Sequence, residues 1–244
     1  MPLVIESNVD VGDGMSVLYL VGDSVPEMLP GQFVEISVPG ADVLLRRPIS
    51  VFDSERGRLG LLVRGAGRAT DRLVALARGT SLSVVGPLGR GFAEDALRPL
   101  LVGGGVGLAP LYYLSRRYSA RGIRPRLVAG FRTASSARLK EIFSRYADLT
   151  VCTDDGSEGT RGNVCAAPEL LCPAADIIQV CGPLPMMKAV AARAREMNVP
   201  CQVSLENKMA CGLGACLCCV ENTTTGNRCV CTDGPVFNIE ELTW

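Results

Sequence analysis

The chain has 244 residues, and its 25 basic and 25 acidic side chains give a formal net charge of zero at neutral pH. This balance gives no electrostatic footprint for nucleic acid or an anionic membrane, and no run of 18 apolar residues suggests a membrane span. The sequence contains no histidine, which removes the commonest general base and every metal site that needs an imidazole. Chemistry carried out by bound redox cofactors does not require histidine and remains open.

The first residues lack a basic segment followed by an apolar core, so we expect no secretory signal and a cytoplasmic location. In a reducing compartment, clustered cysteines are more often metal ligands than disulfides. The eleven cysteines of this chain are therefore candidate ligands first.

Residues 1–95 contain short apolar segments separated by glycine and proline. Five are rich in Val, Ile and Leu, at 15–22, 31–38, 47–53, 57–64 and 80–86. Several strands at this regular spacing predict an N-terminal antiparallel β-barrel. One helix is predicted over 70–79, with Thr70 or Asp71 as N-cap and Gly79 as its end.

The pattern changes near Ala96, where apolar strands begin to alternate with helices. A strand, a glycine-rich turn and a helix occupy 98–122, and further strands and helices are predicted at 124–133, 136–147, 149–157, 174–183, 185–199 and 200–207. This alternation predicts a Rossmann-like α/β domain, residues 96–205, with helices on both faces of a parallel sheet. Ligands of such sheets bind beyond the carboxyl ends of the strands.

The segment "LLVGGGVGLAPL" (100–111) places four glycines between a strand and a helix: Gly103, Gly104, Gly105 and Gly107. Glycines there let a pyrophosphate approach the backbone, and the helix N-terminus supplies N–H donors. A tight turn without a ligand is the alternative. A second strand end brings Gly182 and Pro183 to the same predicted cleft, and the loop 153–164 is expected to form one of its edges.

The residue type that distinguishes NAD from NADP is ambiguous in this sequence. The acidic partner of the adenosine ribose, expected about 20 residues after the glycines, is missing. Arg132 stands at that strand end instead. Arg132 suits a 2′-phosphate or can stack on adenine, so the choice between NAD and NADP stays open.

Two segments of the barrel combine arginine with hydroxyl side chains, "LLRRPISVFD" (44–53) and "LLVRGAGRAT" (61–70). Guanidinium groups and serine hydroxyls can hold a phosphate. For the first segment alone, an edge strand with solvated arginines is the favoured interpretation, but the two segments together favour a phosphate-containing ligand.

The cysteine-rich segment 206–244 has too few apolar residues to fold unaided, so we expect a metal centre in it. Cys211, Cys216 and Cys219 have the C-x4-C-x2-C spacing of a plant-type [2Fe–2S] centre. Spacing leaves the fourth ligand open between Cys229 and Cys231. The alternative is a zinc knuckle formed by Cys216, Cys219, Cys229 and Cys231, which would leave Cys211 unexplained.

These segments, in this order, resemble the electron-transfer subunit of the dihydroorotate dehydrogenase B family, within the ferredoxin-reductase superfamily. The resemblance covers essentially the whole chain through "RRPIS", "GPLGRGF", "LVGGGVGLAPL", "CGPLPMMKAV" and "ENKMACGLGACLCCVE…CVCTDGPVF". The last motif is the most specific, because a C-terminal [2Fe–2S] motif followed by "DGPVF" separates this branch from ordinary flavin reductases.

The resemblance implies a set of cofactor-binding residues. For FAD they are Arg47, Pro48, Ile49, Ser50, Leu62, Val63, Arg64, Ala69 and Thr70. Ala69 departs from the glycine usual in the family at that position. For the cluster, the family's fourth cysteine precedes "DGP" by two residues, which implies Cys231 and gives Cys218 and Cys229 no cluster role.

The implied function is an electron relay from NAD(H) through FAD to the [2Fe–2S] cluster, with no catalytic residue for dihydroorotate in this chain. The implied partner is a separate FMN-containing catalytic subunit that oxidises dihydroorotate to orotate in pyrimidine biosynthesis. Two copies of each subunit would form a heterotetramer. A subunit of a related NAD(P)H-dependent ferredoxin or sulfide reductase, with another partner, is the alternative.

Overall fold

The computed structural model describes residues 1–134, 139–171 and 174–244. They form a closed β-barrel, a sheet with helices and a small cysteine-rich C-terminal segment, which confirms the predicted β plus α/β class. Part of the helix predicted over 136–147 lies outside the described residues. Domain boundaries at 95/96 and 205/206 stay predictions.

The barrel consists of six antiparallel strands, β1 (Pro2–Gly12), β2 (Met15–Val21), β3 (Phe33–Ser37), β4 (Arg47–Glu55), β5 (Arg58–Arg64) and β6 (Ser81–Leu88). They close in the order β1-β2-β5-β4-β3-β6. Alternate side chains point inward because a strand repeats every two residues, and Leu18, Val34 and Leu61 are fully buried there. Closure leaves no free edge to this sheet.

Two local predictions for the barrel were incomplete or wrong. Strand β1 was missed, because Leu3 and Ile5 are its only fully buried side chains and its remaining pattern is weak. The helix α1 spans Arg68–Val74, so it begins and ends earlier than predicted. Its N-cap is Gly67, not Thr70 or Asp71.

Strands and helices alternate in the second part of the chain. They are β7 (Pro99–Gly104), α2 (Leu108–Ala120), β8 (Arg126–Phe131), α3 (Lys140–Phe143), β9 (Asp148–Thr153), β10 (Thr160–Arg161), α4 (Pro168–Leu171), β11 (Ile177–Cys181), α5 (Leu184–Glu196) and β12 (Cys201–Ser204). A 3-10 turn, Gly105–Gly107, connects β7 to α2.

The C-terminal segment adds a hairpin of β13 (Val220–Thr223) and β14 (Gly226–Cys229), followed by β15 (Val236–Asn238). Strand β15 pairs antiparallel with β12 and completes a seven-stranded sheet of order β10-β9-β8-β7-β11-β12-β15, whose other pairs are parallel. The last part of the chain is therefore attached to the edge of the α/β sheet.

Both faces of this sheet are buried. Val102 and Val180 face α5, whereas Leu101 and Leu127 face α2. The parallel register aligns Gly104 of β7 with Gly130 of β8, and it brings the carboxyl ends of the strands to one edge of the sheet. That edge faces the barrel.

Helix α2 fastens the barrel to the sheet. Phe52 of β4 stacks on Tyr112 of α2 with ring centroids 4.2 Å apart. The Tyr113 hydroxyl donates to the carbonyl of Met28 at 2.7 Å. Because these contacts are buried, they fix the width of the cleft between the two units.

The cysteine-rich segment packs on the sheet and on the barrel. Val230 and Phe237 belong to the same buried cluster as Phe33 of β3. Trp244 also packs there, with the Lys188 ammonium 5.2 Å from its ring centroid, so this end of the chain is held in place. Within the described part of the chain, no helix is long and apolar enough to cross a membrane.

Candidate functional site

The four residues expected to open the FAD site, Arg47, Pro48, Ile49 and Ser50, begin strand β4. All four are partly exposed, although β4 lies between two other barrel strands. Ser50 pairs with Phe33 on β3. The segment is therefore accessible to a ligand on the outer face of the barrel, as binding of an extended cofactor requires.

The remaining predicted FAD residues differ in what they can offer. Leu62 and Val63 are buried in the core, so only their backbone can reach a ligand, whereas the Arg64 side chain is exposed. Ala69 is buried at the start of α1. The Thr70 hydroxyl accepts from the Ala66 N–H at 2.9 Å, so it organises its own turn.

The glycine before α1 gives independent support for a ligand beside it. Gly67 has φ of 152°, and a Cβ added there would meet no atom within 4 Å. With the exposed Arg64 side chain three residues before it, this open backbone suits the phosphates and ribityl chain of FAD. The residues present fit the cofactor.

A cavity of about 410 Å³ opens between the barrel and the carboxyl edge of the sheet. Four residues that the sequence indicated for the nucleotide cleft line this cavity: Gly104, Gly105, Arg132 and Pro183. Gly105 has φ of 55°, and a Cβ there would meet open space. The backbone is thus bare where a pyrophosphate would approach the start of α2.

Four of the predicted glycines have packing partners instead, and a Cβ on Gly104 would lie 2.9 Å from the Met186 sulfur. A Cβ on Gly103 would lie 2.5 Å from Leu108, and one on Gly107 would lie 2.6 Å from the Cys181 carbonyl. Gly182 is held against Met186 in the same way. These glycines allow strand and helix to approach closely, which shapes the cavity.

The sequence did not identify several polar residues of this cavity. The turn between β1 and β2 contributes Asp13, which has φ of 53° and a buried carboxylate oxygen without a hydrogen-bond partner. The predicted loop 153–164 does form one edge, through Asp154 and Asn163. Asp154 follows β9 as Arg132 follows β8, so the two residues stand at neighbouring strand ends and both line the cavity.

A second cavity, of about 370 Å³, lies between β1 and β6. It is lined mainly by Met1, Ser37, Ser81 and Ser83, and none of the predicted site residues reaches it. It carries no functional argument.

The cysteine loop brings the four predicted ligands together as two pairs. Cys211 is paired with Cys216, whose backbone N–H donates to the Cys211 sulfur at 3.4 Å. Cys219 is paired with Cys231, whose backbone N–H donates to the Cys219 sulfur at 3.4 Å. Two thiol pairs match the needs of a cluster in which each of two irons takes two cysteines.

Backbone N–H groups already point at the sulfurs. Donation from Leu213 and Cys216 lowers the pKa of Cys211 to about 6, whereas burial and the neighbouring Cys219 raise the pKa of Cys231 to about 12. Gly214 donates to the Cys231 sulfur at 3.2 Å. Hydrogen bonds to sulfur stabilise cluster thiolates, so the loop fits a [2Fe–2S] centre.

The zinc alternative fits less well. The zinc set of Cys216, Cys219, Cys229 and Cys231 leaves out Cys211, although the Cys211 sulfur accepts from the Cys216 N–H and lies beside the Cys216 thiol. Cys218 is exposed, and Cys229 lies near Cys219, with its backbone N–H donating to Asp233 at 3.1 Å. The sulfur pairs thus favour a two-metal cluster.

Comparison with known proteins agrees with this geometry. The family model described as the iron-sulfur cluster binding domain of dihydroorotate dehydrogenase B matches residues 206–243. A dihydroorotate dehydrogenase B (NAD(+)), electron transfer subunit from Bacillus caldolyticus is 41% identical, over 92% of this chain and 91% of the relative. The protein of that name from Shouchella clausii (strain KSM-K16) is 40% identical, over 98% and 96%.

Solved structures share the architecture. A chain of an NADH-dependent reduced ferredoxin-NADP oxidoreductase, studied for flavin-based electron bifurcation, has a TM-score of 0.89 and 33% identity, over 99% of this chain and 90% of that one. The ferredoxin reductase in carbazole 1,9a-dioxygenase has a TM-score of 0.70 at 24% identity, over 82% and 65%, and shares the fold. The chain belongs to the family of dihydroorotate dehydrogenase B electron transfer subunits.

Proposed function

We propose that this chain relays electrons between NAD(H) and a catalytic subunit that oxidises dihydroorotate, by way of FAD and a [2Fe–2S] cluster. The observation that carries the proposal is the cysteine loop, with its two thiol pairs and N–H donors, packed against the barrel that presents the FAD-type segments. In a single chain, the FAD-type segments suited to hydride transfer therefore lie close to the cysteine loop suited to single-electron transfer.

The residues of the cleft would bind and orient the nicotinamide nucleotide. Gly105 leaves room for the pyrophosphate at the start of α2, and Gly104 lines the same cavity. Arg64 reaches the cavity from the barrel side. FAD held beside this cleft would supply the chemistry that links a two-electron hydride transfer to single-electron transfer.

The FAD itself would lie along β4, held by Arg47, Pro48, Ile49 and Ser50, with the backbone of Leu62 and Val63 beside it. The Arg64 side chain, and the backbone at Ala69 and Thr70, would complete that site. Gly103, Gly107, Gly182 and Pro183 would shape the nucleotide cleft from the sheet side.

Cys211, Cys216, Cys219 and Cys231 would hold the cluster, which carries one electron at a time. The loop that they form is partly exposed, and its Leu213 and Leu217 side chains are 63% and 62% exposed. An apolar, exposed rim beside an electron carrier suits contact with a partner protein.

The partner in this proposal is an FMN-containing catalytic subunit, in a heterotetramer with two copies of each chain. The absence of histidine and of a predicted base leaves dihydroorotate oxidation to that subunit. The expected place of action is the cytoplasm.

Co-expression with a dihydroorotate-oxidising partner gives the direct test. We expect dihydroorotate-dependent reduction of NAD+ by the complex and none by either subunit alone. The matched control is the complex carrying Cys231→Ser, which should keep the partner's reaction with an artificial dye but lose NAD+ reduction. Full NAD+ reduction by that variant would contradict the relay.

The second candidate is a subunit of an NAD(P)H-dependent ferredoxin reductase, which the 33% identity and TM-score of 0.89 to such a chain support. A complex that reduces ferredoxin with NADH or NADPH, and ignores dihydroorotate, would establish it. The higher identity to named dihydroorotate dehydrogenase B subunits favours the first proposal.

A further inference from the structure

A buried carboxyl group without a partner stands on the outer face of the barrel. Glu35 of β3 is 1% exposed, and neither of its carboxylate oxygens has a hydrogen-bond partner. Among the described residues, no other side chain has two buried polar atoms left without a partner. Burying such a group costs stability, so it needs a reason.

Glu35 lies between the two candidate cofactor sites. On one side, β3 pairs with β4, so that Glu35 stands opposite Pro48 and Ile36 opposite Arg47. On the other side lies the cysteine loop. A Cβ on Gly212, the residue after Cys211, would be 2.9 Å from Glu35 Cγ and 3.2 Å from its Oε1.

The surroundings leave the carboxyl group little screening. Burial raises the pKa of Glu35, and the charges of Arg46 and Arg47 oppose that effect. The apolar side chain of Leu88 also lies against Gly212, where an added Cβ would be 3.1 Å from it. Since water is excluded there, a charge on Glu35 acts over a longer distance than a surface charge would.

We propose that Glu35 is a positioning residue of the relay, whose negative charge lowers the reduction potential of the cluster held by the adjacent loop. This inference rests on the proposed function. Adding an electron beside the ionised carboxylate is less favourable, and net charge is one of the determinants of iron–sulfur potentials. A low potential keeps the reduced cluster a ready donor to the next carrier.

The test is a potentiometric titration of the cluster, followed by electron paramagnetic resonance of the reduced [2Fe–2S] centre, in alkaline buffer that ionises the carboxyl group. We expect Glu35→Gln to shift the midpoint potential upward, and Glu35→Asp to stay close to the native value. A merely structural role would leave the potential unmoved in a cluster-loaded Gln variant.

Glu169 of α4 offers a matched control. It also has a buried carboxylate oxygen without a partner, but it bonds Thr150 at the far part of the α/β sheet. We expect Glu169→Gln to leave the cluster potential unchanged. An upward shift in both Gln variants would overturn the proposal, because the effect would then not depend on the position beside the loop.

The remaining outcomes also decide the question. An unchanged potential in a cluster-loaded Glu35→Gln chain overturns the role of Glu35 and leaves the relay intact. Loss of iron from both Glu35→Gln and Glu35→Met, with retention in Glu35→Asp, overturns it too, because the residue would then retain the cluster rather than set its potential. Absence of a [2Fe–2S] signal from the native chain would instead overturn the proposed function.

Discussion

The identity of the fourth cluster ligand depends on a single side chain, Cys231. Its sulfur accepts from the Gly214 N–H, and its own N–H donates to the Cys219 sulfur. We predict that Cys231→Ser loses most of the iron, because a serine hydroxyl replaces a thiolate. Iron and sulfide per chain, with the visible spectrum, measure the loss.

Cys229→Ser and Cys218→Ser are the matched controls. Cys218 is exposed, and the Cys229 backbone is tied to Asp233 rather than to the sulfurs. Both variants should keep native iron content. If Cys229→Ser lost the cluster and Cys231→Ser kept it, the assignment of the fourth ligand would be reversed.

The pH dependence of stability tests whether Glu35 is strained in the folded chain. Burial raises its pKa above the ordinary 4.5, so the folded state keeps a proton that the unfolded state releases. Stability is therefore lost as the pH rises through the window that opens at 4.5. We predict that Glu35→Gln raises the free energy of unfolding at neutral pH by about 1–3 kcal/mol. The variant should therefore unfold at a higher temperature than the native chain.

The same comparison at acidic pH supplies the control. Below the ordinary pKa both states of the native chain are protonated, so the advantage of the Gln variant should shrink. Thermal unfolding of cofactor-loaded protein across this range measures it. If the extra stability of Glu35→Gln over the native chain were constant with pH, or grew as the pH falls, the pH dependence could not be assigned to Glu35.

At the residue scale, the spacing of the cysteines carries the chemical prediction. The C-x4-C-x2-C spacing predicts Cys211, Cys216 and Cys219 as ligands; the structure pairs the first two, and their binding of a cluster stays a prediction. It could not predict Glu35 or Asp13, since nothing in a local pattern reveals that a particular carboxylate is buried against a segment from elsewhere in the chain. Those contacts depend on the packing of distant segments.

At the scale of elements, the ends of β8 and β9 bear on the choice of nucleotide. Arg132 and Asp154 stand side by side in the cavity. We infer that Asp154, which follows the next strand, takes the place of the acidic ribose partner that is missing after the glycines. A carboxylate accepts hydrogen bonds from ribose hydroxyls and repels a 2′-phosphate.

We predict that Asp154→Ala weakens NADH binding and improves NADPH binding, which changes their affinity ratio by about tenfold, on the order of 1.4 kcal/mol. Fluorescence titration of each nucleotide measures the ratio. Asp155→Ala is the control, because the Asp155 carboxylate bonds Ser157 within its own turn. An equal change in both variants would contradict a specific role for Asp154.

The regular elements were predictable because their apolar periods are strong. Strand β7, with six buried residues, and helix α2 behind the glycines are examples. Strands β1 and β15 were missed for different reasons. Strand β1 buries few side chains, whereas β15 has three residues and is a strand only because β12 offers it an edge.

At the scale of the whole molecule, an ion pair between barrel and sheet holds the cleft. Arg116 of α2 lies 2.8 Å from the Asp53 carboxylate and 2.7 Å from that of Glu55, and it donates to the Ser54 carbonyl. Burial raises the pKa of Asp53, which the Arg116 charge counteracts. This arrangement joins β4, the FAD-type strand, to the nucleotide domain.

We predict that Arg116→Met lowers the free energy of unfolding by about 1.5–3 kcal/mol, because hydrogen-bonded charged partners lose their donor. It should also weaken NADH binding, since the cleft loses a fixed width. Lys140→Met is the control, because its ion pair with Glu158 is half-exposed and therefore screened by solvent. Equal destabilisation of both variants would contradict the structural role.

The sequence indicated a barrel, a parallel sheet and a cluster segment, but not how they are docked. The stacking of Phe52 on Tyr112 and the contact of Gly212 with Glu35 join segments far apart in the chain. Their geometry follows from the shapes of completed units. The family resemblance, rather than periodicity, supplied the order of cofactors.

The relay is tested most directly by anaerobic titration of the purified chain with NADH, followed by flavin absorbance and electron paramagnetic resonance together. We predict that flavin bleaching is accompanied by the signal of a reduced [2Fe–2S] cluster, and that Cys231→Ser keeps the bleaching and loses the signal. Bleaching of the flavin in the native chain with an intact but silent cluster would contradict the account.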